Sequence, residues 1–346
     1  MLSHFRANLW LVILSLLFGA IVYPAVLLGI GQTVFRDKAN GSMVHDKNGK
    51  VVGSRLIAQP CTGDQYFQPR PSSVSYNAAA SGASNWGANN YQLRFRVAKA
   101  LGPLVKYGSL HAKRGQRVGP DIEIWFQAHA LKDGKGIVAQ WAESWPSAAQ
   151  TWIKDDKANA AYVEEWQKTH PADVAKWVNE NPATPQPKPE DLAVPFFVSY
   201  SGERPGMFPS QLERKAPGGQ TEKVMESVKE GPDIQSYFFD MWRQENPDVD
   251  LEQVPADMVM ASGSGLDPHI TLENALYQLD RVADKWAAAE PNADLGEVRQ
   301  RIADLLRQKC EAPFGGLVGV DLVNVFEVNL ALADVVKHRP GQASEK

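Results

Sequence analysis

The residues best placed to do chemistry sit in one run, Ser262-Gly263-Ser264-Gly265-Leu266-Asp267-Pro268-His269. Its two glycines can expose backbone amides to an anion, and Asp267 and His269 add a charge and a titratable ring. The same residues also make a tight turn in which Asp267 caps the structure that follows. Separation alone does not make Asp267 and His269 an acid–base pair, so the run is read as a structural turn or subunit contact. Histidines at 4, 45, 111, 129, 170, 269 and 338 lack metal-ligand spacing. No phosphate-binding loop ending in Lys-Ser/Thr, His-Glu-x-x-His helix, Gly-x-Ser-x-Gly turn or Asp-Lys-Thr-Gly-Thr phosphorylation motif occurs. Cys61 and Cys310 are too few for a four-thiolate zinc site; they form one disulfide in an oxidising compartment or remain two thiols.

Tryptophan is the other chemical signal. Seven of the ten, Trp125, Trp141, Trp145, Trp152, Trp166, Trp177 and Trp242, fall between Ser109 and Val254. Spaced indoles can stack on sugars or unpaired bases. That stretch, however, holds 16 Lys and Arg against 23 Asp and Glu, and an acidic surface without a basic stripe opposes phosphate binding. Core anchoring is the expected role, and no nucleic acid is expected as a partner.

These residues must be positioned by elements that the pattern partly reveals. The chain has 346 residues, a formal charge of −4, 44% hydrophobic and 22% charged residues, so most of it is expected to fold. Asn40-Gly41 and Asn48-Gly49 mark turns, and residues 50–59 read as a strand interrupted by a bulge or close approach at Gly53. A helix is expected over 92–104 until Gly102-Pro103 stops it, and another from Ser147 through Trp166. Pro182, Pro185, Pro187 and Pro189 read as extended linker. Residues 256–261 suggest a short strand or a buried approach segment. Helical periodicity resumes at Leu272, with Asn274, Tyr277 and Arg281 on neighbouring turns. It appears again over 294–308, where Leu295, Val298, Ile302, Leu305 and Leu306 form the expected buried side. Residues 319–326 read as a strand leading into a last helix.

Ahead of all this, Leu9–Ile30 contains no charged residue. A helix of that length at about 1.5 Å per residue spans a hydrocarbon core of about 30 Å. Trp10 suits the headgroup region, and Pro24, after Tyr23, bends a helix in a way membranes tolerate. A cleaved signal peptide is the competing reading, but the run is long for one and no A-x-A-like site follows it. An uncleaved anchor is expected, with the lipid bilayer as its partner. The basic residues on its two flanks barely choose an orientation.

Several blocks together resemble the C subunit of the bacterial high-affinity potassium-transporting Kdp ATPase. They are Tyr23-Pro24, residues 39–42 (ANGS), 50–59 (KVVGSRLIAQ), 66–72 (YFQPRPS), 76–85 (YNAAASGASN), 254–270 (VPADMVMASGSGLDPHI) and 323–332 (VNVFEVNLAL), in family order. The resemblance implies an α+β fold: one amino-terminal transmembrane helix, then an extracytoplasmic mixed domain carrying an inserted subdomain. The expected division is an anchor over 1–33, framework over 34–108 and 255–336, a tryptophan-rich acidic insertion over 109–254, and a flexible tail over 337–346. It also implies a single pass through the bacterial inner membrane with the amino terminus cytoplasmic. The implied role is that of a non-catalytic subunit needed for pump assembly and for control of the extracytoplasmic potassium entrance. The implied partners are a channel-like potassium-binding subunit, an ATP-hydrolysing subunit and a small membrane peptide. ATP, magnesium and potassium would be used by those partners, with no cofactor or metal bound by this chain. Asn77, Ser81, Gly82, Ser84, Asn85 and Ser262 to His269 are the expected interface or its supporting turn. The family pattern passes much more directly from the helix near Leu104 to the Val254 block, so it supplies no function for the insertion. The alternative is a membrane-anchored extracytoplasmic enzyme or ligand-binding protein with its site in that insertion.

Overall fold

The computed structural model describes residues 2–45, 48–61, 63–131, 134–215, 221–290 and 293–337. The tail expected over 337–346 lies, apart from Lys337, outside the described residues. The chain forms two compact units, one from residues up to Ser84 together with those from Pro255 onward, the other from Asn85–Val254.

The first unit opens with a continuous helical rod over Ser3–Val34, 32 residues long, long and apolar enough to cross a membrane, and its most apolar stretch is not buried by the rest of the chain. It is not uniform. Leu2–Leu16 and Tyr23–Val34 are α-helical, and Leu17–Val22 between them is a wide π turn. Pro24 explains the widening: its ring clashes with the carbonyl one turn back, and a wider turn relieves this. The Tyr23 amide bonds instead to Phe18 O, five residues back. Polar side chains in the rod satisfy themselves, Ser15 donating to Leu11 O at 2.7 Å and Thr33 to Gly29 O at 2.7 Å.

A small antiparallel hairpin follows, Met43–His45 with Val51–Ser54. Its register slips between the Val44–Gly53 and His45–Val51 pairs, leaving Val52, beside Gly53, as the extra residue. Gly53 is a close approach, since a Cβ there would meet the Phe326 ring at 2.7 Å. Residues 55–61 and 63–84 run on without helix or strand. The sheet of this unit has three short antiparallel strands, with Leu322–Asn324 between His269–Thr271 and Cys310–Glu311. Helices Leu272–Ala289, Leu295–Gln308 and Val325–Lys337 complete it. Thr271 and Asp294 start the first two by accepting from the amides of Asn274 and Glu297 at 3.0 and 2.8 Å. Leu279 and Val282 of one helix and Val298, Ile302 and Leu306 of the next bury a common core with Ile270, Val323 and Leu332.

Three local expectations are corrected here. Leu295 is exposed, because it is the first residue of its helix and precedes the turn that reaches the core. Residues 256–258 make a 3-10 turn, not a strand, with Asp257 buried to accept from the Thr271 amide at 2.7 Å. Val325 and Phe326 belong to the last helix, so the strand before it is only Leu322–Asn324.

The second unit is mainly helical, with one long antiparallel hairpin, Phe208–Lys215 with Thr221–Val228. Pro146, Pro171 and Pro232 each open a helix, where a missing amide costs nothing and the fixed φ helps. The expected 147–166 helix is two, Pro146–Asp155 and Lys157–Thr169. Asp156 turns extended between them and accepts from the Ala158 amide at 2.8 Å, exchanging one continued turn for a cap. Trp141, Trp152, Trp166 and Trp242 are buried, and Trp141 packs edge-on to Phe197, Phe208 and Tyr237. The unit has a neck: Tyr107 bridges Leu251, the Gly108 amide donates to Asp250 O at 2.9 Å, and that of Glu252 to Lys106 O at 2.9 Å. The neck lies beside the expected Ser109 seam. The unit nevertheless starts at Asn85, because the Tyr91–Leu101 helix packs on Pro232–Glu245.

Candidate subunit interface

Two loops of the first unit interlock. Ser72 Oγ donates to Gly265 O at 2.6 Å, the Gly82 amide to Ser264 O at 3.0 Å, and Ser81 Oγ to Ser264 O at 3.5 Å. On its other flank the Ser262–His269 run takes the Ala58 amide on Leu266 O at 2.8 Å. Within it, the Gly265 amide returns to Ser262 O and the Leu266 amide to Ser264 Oγ. Backbone is thus paired to backbone, and short side chains fill the remaining valences, as a loop held without helix or sheet requires.

The loops are tight because particular residues allow left-handed backbone. Gly265 has φ +68°, and a Cβ on it would lie 2.9 Å from Val74 Cγ2 and 3.0 Å from Gly82 O. Gly263 faces open space and meets no such constraint. Ser75 and Tyr76 take φ of +52° and +57°, held by the Tyr76 amide on Ser72 Oγ at 2.9 Å and the Tyr76 hydroxyl on Arg70 O at 2.9 Å. Asn77 makes a local turn, its side chain accepting from the Ala79 amide at 3.0 Å.

Electrostatics concentrate at the end of the run. His269 Nδ1 lies 3.1 Å from Asp267 Oδ1, which also accepts the His269 amide at 3.0 Å, and Arg70 Nη1 stands 3.8 Å from Asp267 Oδ2. The hydrogen bond to Asp267 raises the pKa of His269 above its ordinary value against the opposing effect of burial, with help from the charges of Glu311 and Glu327. The bond from His269, with Arg70 adding to it, holds the Asp267 carboxyl below its usual range. The arrangement favours an imidazolium–carboxylate pair, a fixed charge couple suited to orienting loops.

The structure therefore brings Ser81, Gly82, Ser262, Ser264, Gly265 and Leu266 together, with Asp267, Pro268 and His269 continuing into the sheet. Asn77, Ser81 and Gly263 are exposed, while Ser262, Gly265 and Pro268 are buried. Ser84 closes the first segment of this unit, and Asn85, with φ +52°, opens the second unit. Trp10, Tyr23 and Pro24 lie exposed along the rod, Tyr23 and Pro24 just after the π turn. Sequence reasoning did not single out Arg70 and Ser72, although they lie in the 66–72 block, nor Val74, whose only signal was proximity to that block. It also missed two carboxamide clamps. Asn329 accepts the Phe67 amide and donates to Phe67 O, both at 2.9 Å, while Gln278 does the same for Gln68 at 2.8 and 3.1 Å. Cys61 and Cys310 are both free, and Asn329 donates to the Cys61 sulfur at 3.3 Å. No cluster of three His, Cys, Asp or Glu side chains suited to a metal occurs among the described residues.

A single apolar rod, a mixed α+β framework and an inserted helical unit define a membrane-anchored protein with one spanning helix. The family model described as KdpC, the c chain of K+-transporting ATPases, matches residues 5–122 and 217–334, and the chain belongs to that family. A KdpC subunit of Pseudomonas syringae pv. tomato is 46% identical over 105 residues, 30% of this chain and 55% of that relative. One from Methanosphaerula palustris is 56% identical over 70 residues, 20% of this chain and 38% of the relative. In these matches the chain spans about half or less of the relative's length. A Bacillus cereus KdpC subunit is 23% identical over 318 residues, 92% of this chain and 88% of the relative. That alignment necessarily runs through much of the stretch between 122 and 217 that the family model leaves unmatched.

Proposed function

We propose that this chain is a non-catalytic subunit of an ATP-driven, high-affinity potassium uptake pump, required for assembly and acting at the extracytoplasmic potassium entrance. One observation carries the reading: both interlocked loops, 72–82 and 262–269, lie inside the segments matched by the family model. A loop surface fixed by its own backbone suits recognition of a partner. Asn77, Ser81 and Gly263 would make contact, with Ser262, Gly265 and Pro268 supporting them from below and Ser84 and Asn85 at the rim. The partners would be a channel-like potassium-binding subunit, an ATP-hydrolysing subunit and a small membrane peptide, which would use ATP, magnesium and potassium. The amino terminus would be cytoplasmic and residues after about Val34 extracytoplasmic.

Purification in mild detergent tests the reading directly. A potassium-binding membrane chain and a P-type ATPase should co-purify, and potassium-stimulated ATP hydrolysis should need them as well as this chain. Recovery of this chain alone from membranes that hold both partners would refute it. Orientation is tested separately: a reporter active only outside the cytoplasm should work when fused after Leu332.

A further inference from the structure

The second unit contains a cleft of about 650 Å³ between the Tyr91–Leu101 and Pro146–Asp155 helices. Trp86, Phe95, Ala100 and Pro103 give it an apolar lining. Its charges do not balance. Arg96, Lys99 and Lys154 line it, against the single carboxylate of Asp155. Lys99 already takes that carboxylate, donating to Asp155 Oδ2 at 3.0 Å and to the Tyr237 hydroxyl at 2.6 Å.

Arg96 and Lys154 are left over. The Arg96 guanidinium lies 4.9 Å above the Trp86 ring, and its Nε is closed off from solvent with no acceptor. Neither Arg96 nor Lys154 has a carboxylate partner among the described residues. The Gln92 carboxamide and the Ser236 hydroxyl, also on the lining, make no hydrogen bond among the described residues. A cation with its Nε shut from water and given no acceptor carries a desolvation cost, which a bound anion would offset.

The neighbouring cavity shows the contrast. It encloses about 270 Å³ and shares Phe95 and Ser236, but its cation Arg94 stands 3.7 Å from Asp240. Its charge is therefore internally balanced. The surplus in the larger cleft is also local, since Ser109–Val254 as a whole carries more acid than base.

We propose that the larger cleft binds a small organic anion, its flat apolar body against Trp86 and Phe95 and its carboxylate taken by Arg96 and Lys154. The stacked guanidinium supplies charge-assisted hydrogen bonds, the exposed ammonium adds attraction, and the indole and phenyl rings select a planar body over an aliphatic one. This site is independent of the loop interface and of the pump assignment.

The full-length chain in phosphatidylcholine nanodiscs, with empty nanodiscs as reference, would be titrated calorimetrically with 1-naphthoate and its neutral analogue 1-naphthamide. Naphthoate should bind saturably and about tenfold or more tightly than the amide, the discrimination a charge-assisted contact supplies. Arg96→Gln should remove most of that preference. Lys154→Gln changes an exposed side chain and should reduce the preference by about threefold, as a partly screened charge does. Equal binding of the two ligands, or no saturable binding of naphthoate beyond the empty nanodiscs, overturns the proposal. So does a full preference in folded Arg96→Gln. Should Arg96→Gln lose its near-ultraviolet circular dichroism, Lys154→Gln decides, and an unaltered preference there also overturns it.

Discussion

The Asp267–His269 pair and Gly265 make the loop interface answerable to single substitutions. His269 binds its proton more tightly in the folded chain, mainly through Asp267, so the pair's contribution is complete below the ordinary value of 6.5. It is lost as pH climbs through the raised folded value. On the acid side Asp267 behaves oppositely: its contribution stands above 3.8 and is lost as pH falls through the lowered value. Asp267→Asn should therefore bring the His269 titration, followed by NMR, back to or below 6.5 and flatten the alkaline loss of thermal stability; a ring that still titrates high would show that Asp267 is not the cause. Gly265→Val should destabilise the first unit by about 2 kcal/mol or more, from left-handed strain plus the collision with Val74 and Gly82. Gly263→Ala should be nearly silent in the same melts, because nothing stands near it. The sequence marks both glycines equally. Which one bears the constraint depends on Ser72 and Val74, almost two hundred positions away, and no local pattern encodes that pairing.

Elements with a period were readable and those without one were not. The Leu272–Ala289 and Leu295–Gln308 helices announce themselves by residue spacing, and the structure adds the Thr271 and Asp294 caps. The split at Asp156 and the 3-10 turn after Pro255 were not foreseen, because Asp156 caps where propensity continues a helix and Asp257 is turned inward by the distant Thr271 amide. Residues 55–84 show no period at all, and their order comes from partners elsewhere. Asn329 and Gln278 imitate a neighbouring strand, each offering a donor and an acceptor to one residue of an extended chain. Asn329→Ala should leave the amide and carbonyl of buried Phe67 without partners and cost about 1–3 kcal/mol for each group. Urea denaturation of the first unit measures this, and a loss below about 0.5 kcal/mol would mean that water replaces the carboxamide.

At the scale of the whole molecule, blocks at both ends of the sequence made the split framework legible, whereas the inner architecture of the second unit had no template and only tryptophan spacing, two helical stretches and a proline run as guides. The boundary illustrates the difference. A cut at Ser109 looks natural from composition, yet it would strand the Tyr91–Leu101 helix, whose Phe95 and Ala98 pack into the second unit's core. Excision of residues 85–254 should succeed instead. The Gly82 amide is bonded to Ser264 O, so a short flexible bridge can replace everything between Ser84 and Pro255. The shortened chain should keep the His269 resonance and a cooperative melt; an unfolded product would mean that the framework depends on its insertion. The neck has a mechanical consequence as well. With handles at Phe35 and Leu332, tension runs through the framework and bypasses the inserted unit for as long as the framework holds. Once the framework yields, the load first peels the Tyr91–Leu101 helix from Pro232–Glu245 and then reaches the bonds between Lys106–Gly108 and Asp250–Glu252 from one end, opening them one after another, as a zipper opens. Optical tweezers should therefore record two ruptures in fixed order, the framework first and the tryptophan-rich unit second.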